Sequence, residues 1–148
     1  MSTYARNKKA SFNYEVLKKI EAGIQLYGYE VKAVRKGSLD LTGAFVVLRG
    51  EEAYLTNAHI SPYQPANIPK NYTPERSRKL LLRKKELRSL IGTAQQKGLT
   101  ILPLRMYNKG DKIKVEIGIA RGKRKYEKRE ILKKRAAQRE IEKRMKNF

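Results

Sequence analysis

Two periodicities run along this chain. From Phe12, apolar and polar positions alternate: Phe12, Tyr14 and Val16 against Ser11, Asn13 and Glu15. The alternation resumes at Ile20, Ala22, Ile24 and Leu26, with Glu21, Gly23 and Gln25 between them. Successive side chains of a strand point to opposite faces, so this predicts one bent strand or two consecutive ones. Gly23 fits a bulge or a point of close backbone approach. Gly28 breaks the pattern. Residues 30–37 then suit a short helix, with Val31 and Val34 on one face and Gly37 past its end. Residues 44–48 and 53–60 flank the turn Arg49-Gly50-Glu51-Glu52 and read as a hairpin. Pro62, Pro65, Pro69 and Pro74 make residues 61–74 a loop.

The second period is helical. Thr73-Pro74-Glu75 reads as an N-cap, a first-turn proline and an early acid. It predicts a helix running to about Lys97 and stopped by Gly98, with Leu80, Leu87, Leu90, Ile91 and Ala94 facing the core. Strand alternation returns at Ile101, Leu102, Leu104 and Met106. After the turn Asn108-Lys109-Gly110-Asp111 it continues through Ile113, Val115, Ile117 and Ile119. About six antiparallel strands and two or three flanking helices at these separations predict a small α+β barrel. We expect a basic arm over residues 1–10, a β-barrel domain over 11–120 and a basic C-terminal tail over 121–148.

The tail changes the picture most. Thirteen of residues 121–148 are Lys or Arg and four are Glu, a net charge of +9. Beyond Gly122 it has neither Gly nor Pro, so local propensity favours helix. Ile131, Ile141 and Met145 fall within roughly 80° on a helical wheel, a stripe too thin to hold a long helix against a core. This predicts a tail that is poorly ordered alone and folds when a polyanion neutralises it. A solvated charged helix without a specific partner is the bland alternative.

Charge extends beyond the tail. The chain of 148 residues carries +21 in all, which leaves +12 on the body. A sequence pI near 10.3 points to nucleic acid first and to an anionic membrane second. Apolar runs fall short of the ~18 residues that span a bilayer, and residues 1–9 lack the apolar stretch of a signal peptide. With no Cys there are no disulfides, and we expect a cytoplasmic protein.

Catalysis finds little support. His59 is the one histidine, so no ordinary triad or zinc cluster can form, and we expect neither cofactor nor metal. His59 reads as a packed or hydrogen-bonding imidazole. Gly37-Ser38…Gly43 lacks the Gly-Lys-Ser/Thr of a phosphate loop. The positive signal is tyrosine interleaved with cations: Tyr27, Tyr29, Tyr54, Tyr63, Tyr72, Tyr107 and Tyr126. Aromatic stacking on a cationic surface is how barrels hold non-duplex RNA, although many of these rings also suit half-buried strand positions. A structural ribosomal protein and a peripheral membrane protein with an amphipathic tail remain as competing readings.

Several blocks narrow the choice. Ile20-Glu21-Ala22-Gly23-Ile24, Gly28-Tyr29-Glu30-Val31-Lys32, His59-Ile60-Ser61-Pro62-Tyr63, Arg76-Ser77-Arg78-Lys79-Leu80-Leu81-Leu82 and Ala120-Arg121-Gly122-Lys123 resemble the SsrA-binding protein (SmpB) family in order and spacing. Lys125-Tyr126-Glu127-Lys128-Arg129 continues the match. The resemblance implies an oligonucleotide-binding-like antiparallel barrel and a non-enzymatic, monomeric partner of transfer-messenger RNA (tmRNA). It implies binding to the tRNA-like domain of tmRNA and delivery to stalled ribosomes, with elongation factor Tu involved through the aminoacylated RNA. It also implies a body near the small-subunit decoding centre, where an anticodon arm and codon would stand. The tail would lie in the empty mRNA channel.

The same resemblance implies an RNA-binding face that includes Glu21, Leu81 and Lys114. Glu21 would accept hydrogen bonds from base or ribose, or orient a neighbouring cation. Leu81 would offer a platform to an unstacked base or else pack in the core. Lys114 would reach phosphate. Arg35, Arg76, Arg78 and Lys79 are further candidates for the RNA backbone. In the tail, Lys123, Lys125, Tyr126, Glu127, Lys128 and Arg129 are the implied ribosome-contacting residues. Family tails usually carry Asp where this chain has Glu127, which keeps the charge and lengthens the arm by one methylene.

Overall fold

The computed structural model describes residues 2–62, 68–123 and 125–146. Its strands are β1 (Thr3–Arg6), β2 (Tyr14–Ile24), β3 (Leu39–Asp40), β4 (Phe45–Arg49), β5 (Glu52–Thr56), β6 (His59–Ile60), β7 (Arg78–Leu81), β8 (Leu99–Lys109) and β9 (Lys112–Gly122). Its helices are α1 (Lys8–Asn13), α2 (Gly28–Arg35), α3 (Lys84–Ala94) and α4 (Lys125–Lys146). Seven strands form one sheet in the order β1-β8-β9-β2-β7-β5-β4, and β3 pairs with β6 in a separate ladder. The α+β class and the antiparallel pairing agree with the sequence reading.

The expected closed six-stranded barrel is not what forms. The sheet is open among the described residues, running from β1 at one edge to β4 at the other. Thr3–Arg6, within the stretch expected as a basic arm, adds itself to β8 as an edge strand. Closure would need that edge to pair with β4.

The long alternation from Phe12 also resolves differently. Residues 8–13 form a short helix whose N-terminus Asn7 caps, its side chain accepting from Ala10 N–H at 3.3 Å. Strand β2 starts only at Tyr14, and its register to β9 slips between Val16 and Lys18. That bulge turns one strand toward two cores. Val16 pairs with Ala120 and joins a small cluster with Ala10, Leu102 and Leu104. Ile20 and Ala22 pair with Ile117 and Val115 in the main core, on the opposite face of the sheet. Consequently one end of the outer face is covered by α1, while the other end, past Ile20, is left open.

The predicted 73–97 helix is a second correction. Residues 78–81 are a strand, and helix begins only at Lys84. Arg78 and Leu80 point inward and are buried, whereas Leu81 faces out and is 49% exposed. The Glu86 carboxylate accepts from Arg83 N–H at 3.2 Å and marks the true helix start. The hairpin over residues 45–56 and the β8–β9 hairpin form as expected, with Gly50 and Gly110 at positive φ in their turns. The predicted return strand of the first hairpin is cut at Asn57, which adopts φ 66°, and His59–Ile60 pairs with Leu39–Asp40 instead.

The inward turn of Arg78 has a partner. Glu30, fully buried on α2, accepts from Arg78 Nε at 2.8 Å and from the guanidinium of Arg76. The Arg78 fork also donates to the carbonyls of Ala58 and Pro74, each at 2.8 Å, and to that of Arg76 at 3.1 Å. The single hydroxyl proton of Tyr72 has two acceptors within reach, Glu30 Oε2 at 3.1 Å and the Ile60 carbonyl at 2.9 Å. No buried side-chain nitrogen or oxygen among the described residues lacks a partner. Burial pushes the Glu30 carboxyl up, but the bonds from Arg76, the Tyr27 N–H and Arg78 outweigh it, so the group ionises below its ordinary 4.5. Burial, with the Glu30 charge beside it, pushes the Tyr72 phenol up to about 12.

Replacing Glu30 by Ala strands a buried guanidinium, so urea unfolding near neutral pH should show a loss of roughly 3–5 kcal/mol. A depressed carboxyl stabilises fully above its unfolded value of 4.5, and that contribution drains away as pH falls through the lower folded value. A Glu30→Gln variant should therefore start less stable and show a flatter stability curve below that pH. A curve parallel to wild type would exclude Glu30 as the acid-sensitive group.

Candidate nucleic-acid interface

Three strands meet at the open end of the outer face. Gly23 of β2 pairs on one side with Lys114 of β9 and on the other with Leu81 of β7. Glu21 lies two residues along β2 and therefore projects from the same face. The glycine is what lets its neighbours close in. A Cβ built on Gly23 would stand 3.1 Å from Leu81 Cβ and 3.6 Å from Lys114 Nζ. Residues 93 positions apart in sequence, Glu21 and Lys114, thus become neighbours across two adjacent strands.

Glu21 is held from β8, along the same face of the sheet. Tyr107 of β8 is buried, donates its hydroxyl to Glu21 Oε2, and carries the Arg105 guanidinium 4.4 Å from its ring centre. Lys109 donates to Glu21 Oε1 at 3.0 Å. The bond from Tyr107, then that from Lys109, holds the Glu21 carboxyl below its usual range, while burial and the same carboxylate push the Tyr107 phenol up. Glu21 is therefore a fixed anion with acceptor capacity left over for an incoming donor.

A groove of about 750 Å³ runs along this face. Glu21, Gly23, Lys79, Leu81, Arg83 and Lys114 are among its lining residues. Lys79 alternates outward from β7 and bridges Glu52 at 3.0 Å. A neighbouring cleft of about 340 Å³ shares Gly23, Leu81 and Lys114 and adds Arg35, whose guanidinium donates to the Asp111 carbonyl at 3.1 Å. The structure therefore brings together Glu21, Leu81, Lys114, Lys79 and Arg35. Leu81 lies on the surface, which excludes the core role that its sequence also allowed.

Two candidates separate from the rest. Arg78 is fully buried against Glu30 and offers nothing to a ligand, so its expected contact with the RNA backbone is withdrawn. Arg76 is tied to the same carboxylate but remains partly exposed, with its guanidinium 4.0 Å from the Tyr27 ring centre. The roles of Tyr107, Lys109 and Glu30 were not anticipated for the site. Tyr107 lies across the sheet from its partner, and Glu30 is separated from Arg78 by 48 residues, so local pattern carried no trace of either.

Of the tail candidates, Lys123 is anchored to α1: its N–H donates to the Asn13 carbonyl and its Nζ to the Ser11 carbonyl, both at 2.8 Å. Lys128 and Arg129 follow on α4, half-buried and exposed respectively. Lys125, Tyr126 and Glu127 belong to that helix, but their side chains lie outside the described residues, as do all of Tyr63 and Pro65. From Leu132 to Lys146 every residue of α4 is exposed. Its contact with the body includes Arg135, whose guanidinium sits 5.4 Å from the Phe12 ring centre. No described group of His, Cys, Asp and Glu could hold a metal, and no described helix is long and apolar enough to cross a membrane. His59 makes a surface bond to Glu75 at 2.6 Å.

The family model described as SmpB protein matches residues 4–147. This chain belongs to the SmpB family. It is 53% identical over 136 residues to an SsrA-binding protein of Magnetococcus marinus, spanning 92% of this chain and 90% of that one. An SsrA-binding protein of Microcystis aeruginosa is 49% identical over 140 residues, spanning 95% and 91%. A chain of the solved structure "tmRNA-SmpB: a journey to the center of the bacterial ribosome" is 45% identical, with a TM-score of 0.68 over 86% of this chain and 93% of its own.

The fixed Glu21 anion has a pH signature. Carboxyl-carbon NMR should place its midpoint below 4.5, and Lys109→Ala should move that midpoint upward by removing a stabilising donor. An unmoved midpoint would show that Lys109 does not hold the carboxylate in solution.

Proposed function

We propose that this chain is a non-enzymatic, cytoplasmic RNA-binding protein of trans-translation. It binds the tRNA-like domain of tmRNA with its body, helps deliver that RNA to stalled ribosomes, and probes the vacant mRNA channel with its tail. The observation that carries the reading is the Lys114–Gly23–Leu81 row beside Glu21 on the open end of a basic sheet, in a chain of the SmpB family. The row combines a cation for phosphate, an apolar platform for a base and an acceptor for base or ribose donors. Arg35 and Lys79 extend the cationic surface around it.

The tail supplies a different capability. A helix carrying Lys and Arg around its circumference can enter a phosphate-lined tunnel without a sequence code. A tunnel filled by message excludes it by volume. Elongation factor Tu enters the scheme indirectly, through the charged RNA. The competing ribosomal-protein reading would place the chain permanently on ribosomal RNA, while a membrane anchor is disfavoured by the thin apolar stripe of α4.

Sequencing the RNA that co-purifies with the full chain should yield one dominant tmRNA. Bulk ribosomal RNA would favour the ribosomal-protein reading instead. If the body neutralises ~4–6 phosphates, the log–log salt slope for the tRNA-like domain should be about −3 to −5. A Lys128→Ala/Arg129→Ala variant should keep that affinity and lose peptide tagging on stalled ribosomes. Equal loss of both would contradict the division between body and tail.

A further inference from the structure

Beside the main groove lies a further cleft, of which the reading above uses only Lys79. It has a volume of about 610 Å³ and is lined by Ile24, Gln25, Leu26, Tyr27, Tyr54, Arg76, Ser77 and Lys79. Its aromatic content sets it apart. Tyr27 is 52% exposed, one of the most exposed large apolar side chains of the body. Tyr54 stands opposite Lys79 in the β5–β7 register. Three cations lie at these rings: Arg76 is 4.0 Å from the centre of Tyr27, Arg49 is 5.8 Å from that of Tyr54, and Lys79 lines the cleft itself.

We propose that this cleft is a stacking site for one unpaired nucleotide of the bound RNA, with Tyr27 as the platform for its base and Lys79 as the phosphate contact. The inference rests on the function proposed above and specifies a subsite of it. Three observations support the assignment. Lys79 lines both this cleft and the main groove, so one RNA strand can pass from the Glu21–Lys114 row into the tyrosines without leaving the protein. The charge is right for a phosphate-bearing ligand: the nearby carboxylate of Glu52 is already paired with Lys79 and bonded to the Tyr54 hydroxyl, and Glu30 is buried beneath Arg76. The platform is also pre-organised. The Arg76 guanidinium is gripped by both oxygens of Glu30, and Tyr27 rests on it, with Tyr29 5.4 Å away on a tilted plane.

Ordering costs are thus met before the ligand arrives, because the arginine that stiffens the ring is itself fixed by a buried acid. Stacking on a cation-backed ring is tolerant of base identity, so the site reads an extruded base and not a particular one. Gln25 is exposed at the cleft and offers a donor and an acceptor to the base edge.

The test measures binding of the full chain to the transcribed tRNA-like domain of tmRNA by fluorescence anisotropy across a salt series. Tyr27→Leu should weaken binding roughly tenfold or more, and Tyr27→Phe should stay close to wild type, since the π-face is retained. The salt slope of Tyr27→Leu should match wild type, whereas Lys79→Ala should reduce the slope by about one. Irradiation of wild type with RNA carrying 5-iodouridine at single-stranded positions should crosslink the peptide containing Tyr27, a readout that needs no variant to fold. Unchanged affinity in Tyr27→Leu, an equal loss in Tyr27→Phe, or crosslinks that avoid this peptide would each overturn the stacking site. Failure of wild type to bind the RNA at all would instead sink the proposed function.

Discussion

The ion pair between Glu30 and Arg78 organises everything that surrounds the RNA-facing surface. It joins the first helix after β2 to a strand nearly fifty residues later, and both partners are fully buried. A bare pair of buried charges gains little over apolar packing. This one is different because the arginine fork spends its remaining donors on the backbone at Ala58, Pro74 and Arg76. Those carbonyls belong to irregular chain that has no ladder of its own. The guanidinium thus takes the place of a missing strand, and the acid keeps the guanidinium in place.

Position follows from that anchor by alternation. With Arg78 and Leu80 turned inward, Lys79 and Leu81 must face out. Leu81 then meets Gly23, and Lys114 arrives from the other side of the same glycine. Arg76, two residues before the anchor, is caught by the same carboxylate and presents its outer face to Tyr27. The groove and the neighbouring tyrosine cleft are therefore two outlets of one buried network. Disturbing Glu30 should affect both through geometry, although Glu30 itself touches no ligand.

Much of this fold could be read from the chain, and the failures have physical causes. The hairpins at 45–56 and 99–122 were legible because turn chemistry and alternation agree there. The segment Arg76–Leu82 was not. Three consecutive leucines after alternating cations satisfy a helical stripe and a buried strand equally well, and a plausible N-cap at Thr73 tipped the reading toward helix. What decided the matter was Glu30, whose claim on Arg78 is non-local and leaves no mark in a short window. The same blindness turned Arg78 from a supposed phosphate ligand into a core residue. Likewise, the alternation across Val16 and Ile20 hid a bulge that sends the two side chains to opposite faces. Of the site, Glu21, Leu81 and Lys114 were reached through family resemblance; their adjacency is a fact of sheet order, which local periodicity does not encode. The open sheet has the same origin, since an edge strand at residues 3–6 depends on a partner a hundred residues away.

The tail obeys a separate logic, and charge explains why. Body and tail both carry strong positive charge, so α4 has no electrostatic reason to lie along the sheet it leaves. From Leu132 onward its apolar residues are exposed, and Phe12 meets it with a cation stacked on a ring instead of a packed seam. The firm attachment is at the root, where Lys123 closes the last turn of α1 and Arg121 pairs with Glu15. A helix fixed at its root, and touching the body through a cation on a ring, keeps most of its length exposed to solvent. In the proposed function that exposure matters as much as the charge: surface charges more than roughly 8 Å apart are largely screened at physiological salt, so phosphates close along a vacant channel, and not distant charges of the body, dominate the energy of the exposed length.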